Sequence, residues 1–101
     1  MSLIYEVDAS FTPNAGRRGE RATLQVEYGN IGTNAVIDKS IVRISEYGIY
    51  DVMKREEDGK FSWSYPIPYE APIQTYEIEV YAIDTEGNKG PVKIVKFAVH
   101  A

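Results

Sequence analysis

The residues best suited to chemistry lie in the run Asp84-Thr85-Glu86-Gly87-Asn88. Asp84, Glu86 and Asn88 set oxygen donors at alternate positions, as a calcium loop does. Counted as an EF-hand loop from Asp84, the sixth position is Lys89 instead of glycine, and the twelfth is Val95 instead of glutamate. Lys89 also brings a repelling charge. The expectation is therefore a turn in which Asp84 and Asn88 bond their own backbone and Gly87 supplies a positive φ. Calcium on Asp84, Glu86 and Asn88 is the minor alternative. Glu56-Glu57-Asp58 is a weaker candidate of the same kind.

Catalytic patterns are missing. The only histidine, His100, stands next to the C-terminus. A serine nucleophile needs a base that is itself held in place, and no Gly-x-Ser-x-Gly occurs. Glu77 and Glu79 face the same side of one strand, but an open sheet face is not the cleft that a glycosidase pair requires. Neither Gly-x-Gly-x-x-Gly nor a P-loop is present. Arg18-Gly19-Glu20 differs from an integrin-type tripeptide in its acid and is given no adhesive role. The expectation is a protein that is not an enzyme. Tyr47, Tyr50 and Tyr69, in or near loops, offer ring faces on which a sugar could stack; tyrosine is also ordinary at strand ends.

Composition narrows the class. The chain has no cysteine, which excludes disulfides, Cys-ligated zinc and thiol chemistry together. A net charge of −4 argues against non-specific nucleic-acid binding. The basic cluster Arg17, Arg18 and Arg21 is interrupted by Glu20 and reads as a solvated turn. No apolar run approaches the roughly 18 residues of a membrane span, no segment reads as a signal peptide, and no Asn-x-Ser/Thr acceptor occurs. At 101 residues the chain is expected to be one domain, residues 1–101, cut from a longer protein.

The elements that would position these residues are strands. Tyrosine, valine and isoleucine abound, and the longest helix-compatible piece, Asp51 to Gly59, has no useful apolar face. Strands are expected over Ile4 to Phe11, Glu20 to Tyr28, Val36 to Glu46, Ile49 to Lys54, Lys60 to Ile67, Tyr76 to about Asp84 and Pro91 to Val99. Turns fall at Thr12-Pro13-Asn14-Ala15-Gly16, in the loop Gly29 to Asn34, at Tyr47-Gly48, at Asp58-Gly59 and in the connection Pro68 to Pro72. In the fourth strand Tyr50 and Val52 share a side and Met53 takes the other. Pro66 marks a strand edge or end. The expected core holds Val7, Leu24, Val26, Val42, Ile44, Phe61, Trp63, Tyr76, Ile78, Val80, Phe97 and Val99. About seven short antiparallel strands at these intervals predict an all-β sandwich.

The spacing Gly59-x-Phe61, Ile67-Pro68 and Tyr76-x-Ile78-x-Val80-x-Ala82-x-Asp84-x-x-Gly87-Asn88 resembles prokaryotic immunoglobulin-like and fibronectin type III-like modules. Leu24 to Gly32, a strand running into Asn30-Ile31-Gly32, resembles the second strand of bacterial cell-adhesion-related domains. The resemblance spans about residues 4 to 99. It implies an immunoglobulin-like β-sandwich, an extracellular or cell-surface location, and a non-enzymatic structural or protein-interaction role. An accessory carbohydrate-binding module is the alternative. It also implies a tyrosine corner at Tyr76, whose hydroxyl would bond backbone where the chain crosses between sheets. Trp63 departs from the antibody pattern, in which the buried tryptophan lies on an earlier strand.

The last hairpin carries a second candidate. A turn centred on Glu86-Gly87 sets Tyr81 against Val92, Glu79 against Ile94 and Glu77 against Lys96, with Ile83 near Gly90. Tyr81, Ile83, Val92 and Ile94, joined by Ile41, would then form an apolar patch where a water-facing sheet should be polar. Its expected partner is a neighbouring domain or a second copy of the chain. The alternative is that the loop Ile31 to Ile37 folds over it.

Overall fold

A computed structural model describes residues 3–13, 15–32 and 35–100. Its strands are β1 (Glu6–Thr12), β2 (Ala15–Arg17), β3 (Arg21–Gly29), β4 (Ile37–Ile44), β5 (Ile49–Val52), β6 (Lys54–Glu57), β7 (Lys60–Pro66), β8 (Thr75–Asp84) and β9 (Lys93–His100). A 3-10 turn, Ser45–Tyr47, joins β4 to β5 and ends on Gly48 at φ 66°. One sheet has the order β1-β3-β7-β6 and the other β2-β9-β8-β4-β5. The two pack face to face as an immunoglobulin-like β-sandwich.

Strict alternation builds the layers. In β3, Ala22, Leu24, Val26 and Tyr28 are buried; in β8, Tyr76, Ile78, Val80 and Ala82 are. Leu24, Val42 and Val80 are wholly enclosed between the sheets. Val7, expected in the core, packs against it while only half-buried.

The structure differs from the seven-strand expectation at two places. Ala15 and Gly16, read as turn, form β2, which runs parallel to β9 and leaves the sheet that β1 belongs to. Asn14 lies outside the described residues. The approach of β2 is close: a Cβ on Gly16 would stand 2.7 Å from Ile67 Cδ1 and 3.1 Å from the Phe97 ring. The expected strand Ile49 to Lys54 is two strands in different sheets. Met53 turns into the core between them, 4% exposed, and its N–H bonds the Ser40 carbonyl at 2.9 Å. β6 then lies on an open edge, exposed along its whole length. Pro66 is the last residue of β7, an interior strand.

Without disulfides, polar side chains tie the layers. The Tyr28 hydroxyl bonds Ser40 Oγ at 2.7 Å, and Ser40 Oγ donates to Met53 Sδ at 3.2 Å. Burial pushes the Tyr28 hydroxyl well above its ordinary pKa and so keeps it a donor. Trp63 Nε1 on β7 donates to Asp51 Oδ2 on β5 at 2.9 Å. Arg55 on β6 donates to the Ile37 and Asp38 carbonyls at 2.7 and 2.8 Å, where the β4–β8 register shifts. Tyr76 Oη donates to the Pro72 carbonyl at 2.6 Å, at the crossing between the sheets.

Tyr5 serves the second irregularity. Its hydroxyl donates to the Pro91 carbonyl and accepts the Ala82 N–H at 2.9 Å, beside Gly90. A Cβ on Gly90 would overlap the Tyr5 ring. Tyr5→Phe is expected to cost about 1–3 kcal/mol, because it leaves a buried N–H unpaired. Gly90→Ala should cost more. Urea unfolding of Gly90→Ala combined with Tyr5→Ala should show a loss smaller than the sum of the two, since removing the ring removes the overlap.

Candidate functional site: the outer face of the five-stranded sheet

The acidic turn is built around its own backbone. Asp84 Oδ1 accepts the N–H groups of Glu86 and Asn88 at 3.0 and 2.8 Å, and Oδ2 accepts the Asn88 amide at 3.1 Å. Gly87 takes φ 84°. Burial opposes the charged form of Asp84, yet the Asn88 N–H, the Asn88 amide and the Glu86 N–H outweigh it and hold the carboxyl below its ordinary pKa. The Glu86 side chain is exposed, and both oxygens of Asp84 are taken by bonds within the turn. Among the described residues no group of three or more His, Asp or Glu side chains stands together as metal ligands would.

The outer face of the five-stranded sheet carries the other candidates. Register lines up Tyr81 on β8, Ile41 on β4 and Val52 on β5. The next row is Ile94, Glu79, Arg43 and Tyr50. Glu77 faces Lys96, as the hairpin register requires, but the pairing shifts near the turn and Ile83 bridges Lys89 in place of Gly90. Tyr5 and the absence of a side chain at Gly90 account for the shift.

Burial on this face departs from the expected patch. Tyr81 is 6% and Ile41 1% exposed, although both lie outside the inter-sheet core. The Lys89 ammonium sits 4.4 Å above the Tyr81 ring centre, and the Tyr50 hydroxyl lies against that of Tyr81. Ile83 is half-buried. Val92 and Ile94 are exposed, as are Tyr50 (59%) and Val52 (54%) on the edge strand β5. The loop Ile31 to Ile37 does not cover them where it is described: Ile31, Ala35 and Ile37 pack on the inter-sheet core, and Thr33 and Asn34 lie outside the described residues. Sequence reasoning left Val52 out of the patch; its signal was the shared side with Tyr50.

One charge pair on this face is locked. Arg43 Nε and Nη2 both reach Glu79 Oε2 at 2.7 Å, and Ser45 Oγ donates to the same oxygen at 3.2 Å. The Arg43 bond holds the Glu79 carboxyl below its ordinary pKa. Glu79 is therefore engaged, while Glu77 faces lysine. His100 is exposed at the end of β9.

The three loop tyrosines do not form one platform. Tyr47 stacks obliquely on Tyr76, ring centres 5.4 Å apart, and accepts the Gln74 amide at 2.7 Å. Tyr50 stands on the outer face. Tyr69 is 77% exposed and lies over Gly19. Trp63 lies between the sheets against Tyr65, ring centres 5.0 Å apart. The basic cluster also diverges: Arg18 donates to the Ala71 carbonyl and Arg21 to Ser64 Oγ.

No family model matches the chain, and no curated protein matches it. Solved structures do. Part of an endo-beta-1,4-mannanase from Thermotoga petrophila superposes with a TM-score of 0.65 at 13% identity, over 94% of this chain and 20% of the mannanase chain. An engineered protein gives 0.60 at 11% identity, over 95% of this chain and 20% of its own. A Niemann-Pick type C2 protein from Japanese carpenter ant gives 0.47 at 7% identity, over 99% and 94%. The likeness is one of fold. The chain spans about a fifth of the length of the first two structures it matches.

Two expected outcomes follow from the turn and the ion pair. Calcium and chelator should leave the melting midpoint unchanged; a rise with calcium would assign the turn to a metal. Asp84 and Glu79 have folded pKa values below their unfolded ones, so their stabilisation is present above the ordinary carboxylate range and is lost as pH falls from that range through the lowered folded values. The gap in urea midpoint between the unmodified domain and Asp84→Ala should therefore be widest near neutrality and narrow on acidification.

Proposed function

We propose that the domain is a non-enzymatic structural or protein-interaction module of a larger exported or cell-surface protein, docking on a neighbouring domain through the outer face of its five-stranded sheet. The observation that carries the reading is the pair of rows on that face. Tyr81 and Ile41 form a closed apolar centre, and Tyr50, Val52, Val92 and Ile94 surround it with exposed apolar surface. Such a face is characteristic of a surface that another protein covers. The Arg43–Glu79 pair, already bonded within the face, adds polarity without leaving a free charge to desolvate. The engagement of Glu79 and the exposed position of His100 support the absence of a catalytic centre. No helix among the described residues is long and apolar enough to cross a membrane, and the net charge of −4 speaks against nucleic acid as the partner.

The test is Val52→Lys combined with Ile94→Lys. Both side chains are exposed, so the isolated domain should keep its stability within about 0.5 kcal/mol. In the parent protein, amide exchange along β5 and β9 should be slower than in the isolated domain, and the double variant should restore the faster rate. Equal exchange in both settings would defeat the reading, and concentration-dependent dimerisation of the isolated domain would reassign the face to a second copy.

A second reading, an accessory carbohydrate-binding module, draws on the exposed rings of Tyr47, Tyr50 and Tyr69. The fold likeness to part of a mannanase chain is compatible with it. Glycan-array binding that disappears on changing any of these tyrosines to alanine would establish it in place of the first reading.

A further inference from the structure

The sheets part at the end of the sandwich where β7 leads into β8, leaving a cavity of about 430 Å³ between them. This volume falls within the range of small-molecule sites, roughly 300–1,000 Å³. Six aromatic residues line it: Phe11, Tyr47, Trp63, Tyr65, Tyr76 and Phe97. Most of the remaining wall is aliphatic or proline, and Glu70 is its one charged residue. The floor, with Phe11, Ile78 and Phe97, is buried; Tyr47 and Glu70 stand exposed at the rim. The cavity therefore runs from solvent into the inter-sheet core.

Three polar groups of the wall are already engaged within the protein. The Trp63 indole N–H is held by Asp51, the Tyr76 hydroxyl by the Pro72 carbonyl, and the Tyr47 hydroxyl accepts the Gln74 amide. Burial, with the Tyr47 hydroxyl bond adding to it, pushes the Tyr76 hydroxyl up to about 12, so that it stays neutral. Water gains little in such a space, because a bound water needs two to four polar partners. An apolar occupant gains the removal of its own surface and of the wall from water. Two carboxylates near the rim, Glu70 and Glu46, outnumber the one guanidinium, Arg18, which bonds the Ala71 carbonyl there, and with the overall negative charge they disfavour anions.

We propose that this cavity is a binding site for a small uncharged apolar molecule, an alkyl chain or aromatic ring carrying no acidic group. The site is separate from the outer sheet face and independent of the docking read there. Trp63 is the only tryptophan and part of the wall, so its emission reports occupancy.

The experiment titrates the domain with a neutral brominated long-chain alcohol, whose bromine quenches an indole on contact, beside the unbrominated alcohol and a brominated fatty acid. Saturable quenching of Trp63 by the neutral probe, relieved by the unbrominated alcohol, is expected. The fatty acid should bind at least several-fold more weakly. Ala71→Trp, filling the cavity at its rim, should weaken binding of the dye N-phenyl-1-naphthylamine about tenfold, whereas Ile94→Lys on the outer face should not change it. Absence of saturable quenching overturns the site. Equal binding of the fatty acid overturns the assignment to uncharged ligands. Dye binding lost in Ile94→Lys and kept in Ala71→Trp moves the apolar site to the outer face. The quenching titration uses the unmodified chain and decides the matter even if Ala71→Trp does not fold.

Discussion

The hydrogen bond from the Tyr28 hydroxyl to Ser40, in the middle of the sandwich, sets what the rest of the chain can do. Ser40 is fully enclosed, and a buried hydroxyl without a partner is strongly unfavourable. Its partners come from the opposite sheet and from Met53, which crosses between the layers. This bond holds Ser40 inward and, with it, Val42 and Ile44. A strand's side-chain period is two, so Ile41 and Arg43 must then face outward. A slip of one residue would bury Arg43 and expose Val42. The character of the outer face thus depends on a serine it does not contain.

The same constraint explains the two flaws in the five-stranded sheet. Wherever strand pairing lapses, backbone groups lose partners and need others. At Ile37 and Asp38 the partners are supplied by Arg55 from the other sheet. At Ala82 and Pro91 they are supplied by Tyr5, which precedes β1. Each irregularity is met by a side chain distant in sequence, so the two sheets are coupled through their defects as well as through apolar packing.

This coupling marks the limit of what the sequence reveals. Alternation in Ala22 to Tyr28 and Tyr76 to Ala82 is a local property, and it displays the inward faces directly. The Asp84 turn is nearly as local: every bond of the Asp84 carboxylate falls within five residues, although the Thr85 N–H reaches the Val36 carbonyl. The switch at Met53 is not local: Ile49 to Lys54 reads as one strand, and only the sulfur's place beneath Ser40 divides it. β2 was hidden for the same reason, since its partner β9 lies about eighty residues away and Ala15-Gly16 carries no strand signal of its own. The burial of Tyr81 depends on Lys89 folding back over its ring, a contact that register alone does not show. The cavity was illegible throughout. Its aromatic residues read as core, and whether two layers close on each other or stand apart is decided by shape, not by residue type.

β6 has a consequence of its own. Lys54-Arg55-Glu56-Glu57 forms an open sheet edge in which every residue is charged, and its pairing with β7 breaks register at Glu57. Bare backbone at such an edge is a template for another chain's strand, the first step toward fibrils. Here an incoming strand would have to strip water from four charges and follow an irregular edge. The apolar residues of the domain can therefore be concentrated on the faces of its sheets without opening a route to aggregation along this border.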